Sequence, residues 1–204
     1  MPGSDIEAVV FDLDGVIVDS EQVWDAAREA LARERGGRWH EGAQQDMMGM
    51  SSVEWSRYMH DVIGLKDPPE EISAEVVRRL EATYREELPL IDGATEAVAR
   101  LAERWPLAVA SSSNRPIIDL VLGLSGLDRF FRATVSSEEV PRGKPAPDVY
   151  LEAARRLGAD PETPGALYAG FGDGGILRSP DAGATWDEVS RTPGGLAALA
   201  AVQI

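Results

Sequence analysis

The N-terminal part of the chain places two aspartates directly after a short apolar run. Residues 6–11 read IEAVVF, and Asp-Leu-Asp-Gly follows at 12–15. A short run rich in β-branched residues that stops before a glycine predicts a buried strand opening into a loop. Open α/β sheets bind their ligands at the carboxyl ends of their strands. Asp12 and Asp14 therefore stand where such a sheet would carry out chemistry.

Strand-like and helix-like segments alternate in the second half of the chain. Apolar strand patterns occur at 107–110, near 133–136 and at 166–169, and helical patterns at 93–104, 116–123 and 147–157. Alternation of this kind predicts a parallel sheet with helices on both of its faces. The fold class expected is α/β, with a Rossmann-like sheet.

A block of helical patterns separates the first strand from this alternating part. Helices are expected over 20–35, 53–63 and 74–88. We interpret the block as a cap inserted above the carboxyl ends of the strands. The predicted organisation is a core of residues 1–18 and 90–163, an α-helical cap of residues 19–89, and a tail of residues 164–204.

Composition narrows the classes of function. The 204 residues include no cysteine, and 35 Asp+Glu against 20 Lys+Arg give a net charge of −15. The lack of cysteine excludes disulfides, thiol catalysis and thiolate metal sites. The negative charge argues against nucleic acid or an anionic membrane as the partner. We recognise no targeting signal or membrane span, so a cytoplasmic location is expected; the sequence does not indicate an oligomeric state.

The aspartate pair suits phosphoryl transfer. In extended geometry, Asp12 and Asp14 point to the same side, and two carboxylates can bind Mg²⁺ while playing different roles. One can attack phosphorus, and the other can protonate the leaving oxygen and later activate water. An acidic turn without any catalytic role is the alternative for the pair taken alone.

Three segments together resemble motifs of the haloacid dehalogenase-like hydrolases. They are FDLDGVIVDSE at 11–21, LAVASSSN at 107–114 and RGKPAPDVYLEAARRLG at 142–158, in the order of that family. The helical block lies where the phosphoglycolate phosphatase and β-phosphoglucomutase branch carries its α-helical cap.

The resemblance implies a role for each motif residue. Asp12 would be the nucleophile that becomes an aspartyl phosphate, and Asp14 the general acid and base. Asp12 and the backbone carbonyl of Asp14 would hold Mg²⁺. Ser111 would donate a hydrogen bond to the transferred phosphoryl group, and Lys144 would neutralise its charge. Such a division of labour agrees with phosphoryl transfer, which depends on positioning and charge stabilisation.

Further residues are expected to contact the phosphate or the rest of the substrate. They are Gly15, Ser112 and Asn114 of the core and Gly49 and Ser51 of the cap loop. Trp24 and Trp55 are candidates for lining the pocket, although an aromatic residue on a helix more often belongs to the core.

The tail allows two interpretations. With a gap, Gly172-Asp173 matches the family's fourth motif, and Asp173 would complete the Mg²⁺ site. Without a gap, residues 179–186 match the S-x-D-x-G-x-T-W core of a sialidase-type Asp-box, which forms the turn of a β-hairpin. One such repeat cannot close a propeller, and its hairpin would instead pair with the open edge of the hydrolase sheet.

Three functions remain open at this point. The leading hypothesis is a Mg²⁺-dependent phosphatase of small phosphorylated metabolites. The second is an impaired or inactive phosphate-binding or structural protein whose hybrid tail lacks the fourth motif. The third is a β-phosphoglucomutase-like mutase. No arginine of the kind that mutases carry follows Gly49, which favours a phosphatase.

Overall fold

The computed structural model describes residues 8–158 in full. Beyond them it describes the backbone of the strands at 167–170, 175–179, 187–191 and 200–202.

Three parallel strands form one side of the sheet. They are β1 (Ala8–Phe11), β2 (Leu107–Ser111) and β3 (Phe131–Ser136), and β2 lies between the other two. Both β1 and β2 are buried along their whole length, as expected for parallel strands covered on both faces. The α/β class predicted from the sequence is confirmed.

Four strands of the tail continue the same sheet. They are β4 (Leu167–Gly170), β5 (Gly175–Ser179), β6 (Asp187–Arg191) and β7 (Ala200–Val202), and the order across the sheet is β3-β2-β1-β7-β4-β5-β6. β7 pairs antiparallel with both β1 and β4. Two successive antiparallel pairings make β4 run in the same direction as β1.

The tail departs from one expectation. The strands β5 and β6, which flank the Asp-box-like stretch, do pair antiparallel. They lie at the outer edge of the sheet, however, and β7 instead occupies the position beside β1. The side chains of the Asp-box-like residues lie outside the described residues, so that interpretation stays a prediction.

Seven α-helices accompany the strands in the described part of the chain. The first five lie between β1 and β2 in sequence, and the other two follow β2; they are α1 (Glu21–Glu34), α2 (Ala43–Met47), α3 (Ser52–Asp61), α4 (Pro69–Glu86), α5 (Ala94–Ala102), α6 (Arg115–Ser125) and α7 (Asp148–Arg156). α4 starts at Pro69, five residues before the expected start. Proline is well tolerated there, because the first turn of a helix needs no backbone N–H partner. None of the helices described is long and apolar enough to cross a bilayer.

One buried cluster joins the inserted helices to the strand that carries the aspartates. It includes Phe11 and Leu13 around the end of β1, and Trp55, Leu80 and Tyr84 on α3 and α4. A smaller cluster packs α7 against the other face of the sheet. The continuous core fixes the inserted helices above the carboxyl end of β1.

Truncating a fully buried side chain of this cluster should destabilise the whole fold. Leu80 is 0% exposed, whereas Leu124 on α6 is 48% exposed. We expect Leu80→Ala to lower the free energy of unfolding by about 2–5 kcal/mol because it leaves a cavity. Leu124→Ala is the matched control and should cost under about 1 kcal/mol. Denaturant unfolding followed by circular dichroism measures both; equal losses would contradict the assignment of Leu80 to the core.

Candidate active site

The turn after β1 is shaped by its own hydrogen bonds. Asp12 Oδ1 accepts a bond of 2.7 Å from the backbone N–H of Leu13. Gly15 has a φ of 72°, and its N–H donates to the carbonyl of Val18 at 2.8 Å. This left-handed conformation suits glycine because it has no Cβ. The turn thereby brings the Asp12 and Asp14 carboxyl groups to the same cavity.

Lys144 forms an ion pair with Asp12. Its Nζ lies 2.6 Å from Asp12 Oδ2 and donates a bond of 3.0 Å to the carbonyl of Ala110 at the end of β2. Burial alone would lower the pKa of Lys144, but the Asp12 carboxylate and Tyr150 outweigh it and raise that pKa. The structure thus brings the first and third predicted motifs into direct contact, with a cation beside the candidate nucleophile.

Asp14 is oriented by four side-chain donors. Oδ1 accepts from Ser20 Oγ at 2.6 Å and from Trp24 Nε1 at 3.2 Å. Oδ2 accepts from Ser113 Oγ at 2.6 Å and from Ser111 Oγ at 3.2 Å. These bonds hold the carboxyl group between β1, β2 and α1. Ser20, Trp24 and Ser113 were not predicted to hold Asp14, since spacing along the chain does not show which residues face it.

The polar residues at the end of β2 and directly after it have different surroundings. Ser111 is fully buried, and its Oγ accepts from the N–H of Ser113 at 2.9 Å. Ser112 lines the cavity with a buried hydroxyl that has no partner among the described residues. Asn114 instead donates to Ser73 Oγ on α4 at 3.3 Å. The hydroxyl of Ser112 is therefore placed to meet a ligand, whereas Asn114 faces the inserted helices.

A cavity of about 300 Å³ lies between the strand ends and the inserted helices. Asp12, Asp14 and Lys144 form its floor, and Gly49, Trp24 and Trp55 belong to its opposite wall. The two indole rings meet edge to face, with centroids 5.9 Å apart. Both predicted alternatives for these tryptophans hold, because each is buried and lines the cavity.

Ser51, the other predicted cap-loop residue, has a structural contact of its own. Its side chain caps α3 by accepting from the N–H of Glu54, and the Glu54 carboxylate accepts from the Ser51 N–H at 2.8 Å. This reciprocal capping fixes the start of α3. A role for Ser51 in phosphate binding stays a prediction.

The sequence reasoning overlooked Arg28 and Asp25 on α1. Arg28 is 7% exposed, and its guanidinium carbon lies 4.9 Å from the Trp24 ring and 4.8 Å from the Trp55 ring. Burial lowers the pKa of Arg28 to about 10, which still leaves it protonated at neutral pH. Both Arg28 and Asp25 line the cavity. Their position could have indicated a role, because both lie on the helix that follows the turn with the two aspartates.

Glu138 connects the core to the inserted helices. Its Oε1 accepts from Ser52 Oγ of α3 at 2.8 Å and from Asn114 Nδ2 at 2.9 Å. Its Oε2 accepts from the N–H of Arg115 at 3.1 Å. One carboxylate thus joins α3 to the start of α6.

The oxygen atoms at the turn suit a hard cation. The described residues contain no group of three or more His, Asp or Glu side chains that could hold a metal. Asp12 offers a carboxylate, and the carbonyl of Asp14 accepts no backbone hydrogen bond within the described part of the chain. Mg²⁺ prefers oxygen ligands and keeps several waters, so this pair fits it. Asp173, the predicted third ligand, lies outside the described residues.

Fold and site together define a class: α/β hydrolases with helices inserted above the ends of their strands. Within that class, the chain belongs to the haloacid dehalogenase-like hydrolases, because the model of that family matches residues 6–175. The family resemblance predicted from the three motifs is confirmed. The matched range extends past Asp173 and ends before the Asp-box-like stretch.

The relatives of this chain include named phosphatases. Hexitol phosphatase B of Escherichia coli K12 is 32% identical over 181 residues, which cover 79% of this chain and 74% of the relative. Fructose-1-phosphate phosphatase YqaB of the same organism is 32% identical over 163 residues, covering 75% of this chain and 81% of the relative. These similarities support the predicted phosphatase class.

Solved structures share the fold. β-Phosphoglucomutase from Clostridium difficile superposes with a TM-score of 0.67 at 21% identity, over 77% of this chain and 73% of that one. This likeness concerns the fold alone.

Removing one hydrogen-bond acceptor of Glu138, which joins the core to the inserted helices, should lower the stability of the protein. In Glu138→Gln, one of the two carboxylate oxygens becomes an amide that cannot accept a hydrogen bond. We expect the free energy of unfolding to fall by about 1 kcal/mol. Glu103→Gln is the control, since Glu103 is exposed and makes no side-chain hydrogen bond or ion pair with the described residues. Unfolding in urea compares the two; a loss no greater than that of the control would contradict the proposed connection.

Proposed function

We propose that the protein is a Mg²⁺-dependent phosphatase of small phosphorylated sugars or polyols that acts through an aspartyl phosphate on Asp12. The observation that carries the proposal is the ion pair between Lys144 Nζ and Asp12 Oδ2 at 2.6 Å, on the floor of the cavity between the strand ends and the inserted helices. A lysine in that position can hold the nucleophile and then face the phosphoryl group that the nucleophile receives.

The proposed reaction has two steps. Asp12 attacks phosphorus, the bond from phosphorus to the ester oxygen breaks, and Asp14 gives its proton to the leaving alcohol. Water then attacks the aspartyl phosphate while Asp14 takes up a proton, and the bond between Asp12 and phosphorus breaks. Asp12 is restored and inorganic phosphate leaves. The shared cavity of the two aspartates supports this division, because a general acid must lie within reach of the leaving oxygen.

Donors around the floor would stabilise the phosphoryl oxygens. Lys144 supplies a positive charge, and the unpartnered hydroxyl of Ser112 supplies a hydrogen-bond donor inside the cavity. Ser111, predicted to donate to the phosphoryl group, contacts Asp14 at 3.2 Å in this structure. Fixed donors of this kind stabilise charge with little reorganisation as it develops.

Mg²⁺ would be held by the Asp12 carboxylate, the Asp14 carbonyl and, we propose, Asp173. When bound, the cation would offset the negative charge of the two aspartates and of the phosphate. Register supports the inclusion of Asp173. β7 pairs Ala200 with Val10 on one side and with Ala169 on the other, so β4 ends level with β1 at the same edge of the sheet. Asp173 then follows β4 as Asp14 follows β1.

The substrate class is proposed from the relatives and the cavity. The two relatives described above are named for hexitol and fructose phosphates. A cavity of about 300 Å³ is at the small end of ligand pockets, which suits a small metabolite. We retain the division into a core of 1–18 and 90–163, a cap of 19–89 and a tail from 164, and a cytoplasmic location, as proposals.

Replacing the nucleophile should abolish turnover. Asp12→Asn keeps the size of the side chain but removes the attacking carboxylate, so release of inorganic phosphate from an aryl phosphate should fall by at least about 1,000-fold. Circular dichroism verifies that the variant is folded. Turnover within tenfold of the wild type would show that Asp12 is not the nucleophile.

The wild type provides the test of the function itself. No phosphate release at millimolar Mg²⁺ from a folded sample would favour a binding or structural protein. Interconversion of sugar phosphates with little release of phosphate would favour a mutase.

The metal site can be tested through the tail. Asp173→Asn should raise the Mg²⁺ concentration needed for half-maximal activity by about tenfold or more, because metal sites weaken when a carboxylate ligand is lost. Asp181→Asn, in the Asp-box-like stretch, is the matched control and should leave this concentration within twofold. An unchanged requirement in Asp173→Asn would exclude Asp173 as a ligand.

A further inference from the structure

A cation is buried in the wall of the cavity opposite the aspartates. Only 9% of the Arg28 side chain is exposed, and the guanidinium carbon lies 4.9 Å from the Trp24 ring and 4.8 Å from the Trp55 ring, beside the contact between the two indoles. Its nearest carboxylate, that of Asp25, is 3.9 Å away, at the limit of an ion pair. The guanidinium makes no hydrogen bond to any described residue, and its Nε is buried without a partner. Buried donors are normally paired, so this arrangement points to a ligand.

The carboxylate of Asp25, next to Arg28, also lacks a hydrogen-bond partner for one of its oxygens within the described part of the chain. Asp25 Oδ2 is buried and has no partner among the described residues. Arg28 and Asp25 both line the cavity, together with Gln44, whose amide donates a long bond of 3.5 Å to Glu21 Oε1 and also lies beside the Asp25 carboxylate. The wall therefore presents a donor and an acceptor side by side, next to two indole rings.

The charges on this wall distinguish between two kinds of ligand. Glu21 and Asp25 carry two negative charges against the one positive charge of Arg28. A second phosphate or a carboxylate would satisfy Arg28 but would leave Asp25 without a partner and close to another anion. A hydroxyl group both accepts and donates, so neighbouring hydroxyls satisfy Arg28 and Asp25 together.

We propose that Arg28 and Asp25 select substrates whose far end is an uncharged polyol or sugar. Arg28 donates to one hydroxyl oxygen, Asp25 accepts from a neighbouring hydroxyl, and the faces of Trp24 and Trp55 cover the carbon chain. This assignment rests on the proposed phosphatase function and deepens it: monophosphates of polyols and sugars are preferred over bisphosphates and phosphorylated carboxylic acids.

The test compares catalytic efficiencies on three substrates: a hexitol monophosphate, a hexose bisphosphate and an aryl phosphate without hydroxyls. For Arg28→Gln, the efficiency ratio of hexitol monophosphate to aryl phosphate should fall by at least about tenfold, since hydrogen bonds to a charged donor are lost. The fall should come from a higher KM rather than a lower kcat. Asp25→Asn should lower the same ratio.

Control variants separate recognition from folding. Arg129 also lies over an aromatic ring, 4.8 Å from that of Phe130, but it is exposed and does not line the cavity. Arg129→Gln should leave the ratio unchanged. Arg28→Lys keeps a cation beside the two indoles but has no planar fork of donors, so it should also lower the ratio. This variant tests the proposal if Arg28→Gln fails to fold.

Two outcomes would overturn the proposal. An unchanged ratio in folded Arg28→Gln or Arg28→Lys would mean that Arg28 only packs the cap. A wild-type preference for the bisphosphate that Arg28→Gln abolishes would mean that Arg28 binds an anion.

The proposed phosphatase function would be refuted by a different result, namely that the wild type hydrolyses none of the three substrates. In that case, calorimetric titration of the wild type with the hexitol monophosphate still tests the recognition. Binding weakened at least tenfold by Arg28→Gln supports it, and binding that is absent or unchanged contradicts it.

Discussion

The arrangement of the site depends on the desolvation of charge at the end of β1. Carboxylates placed beside a buried strand are tolerated only when donors or cations face them. Lys144 does this for Asp12 at 2.6 Å, and a set of hydroxyls and one indole N–H does it for Asp14. These partners come from β2, from α1 and from the loop before α7. The need to satisfy two carboxylates thus draws separate parts of the chain to one edge of the sheet.

The same requirement explains why the inserted helices belong to the site rather than merely covering it. Trp24 is packed in the core, donates to Asp14 at 3.2 Å and places its ring 4.9 Å from the Arg28 guanidinium carbon. A single side chain therefore connects the floor of the cavity to its opposite wall.

The sequence was sufficient for the parts of the fold that have local signals. The apolar run before Asp12 and the alternation after residue 90 predicted their strands and helices. The three motifs predicted the family, which the match of the family model confirmed. The pairing of β7 with β1 could not be predicted, because residues 200–202 are too short and too simple to specify a partner. Arg28 and Glu138 were missed for a related reason: on an exposed-looking helix or loop, a charge gives no sign of which side chains fold over it.

The sheet order has a consequence for folding. The neighbours of Val10 in the sheet are Ala108 and Ala200, so the strand that carries the aspartates has no partner close to it in sequence. Contacts between distant parts of a chain form slowly, because a long loop must close before any pairing stabilises it. The strand that precedes the catalytic aspartates is thus held by contacts between residues that are far apart in sequence. We expect this strand to become ordered only when the whole domain has assembled.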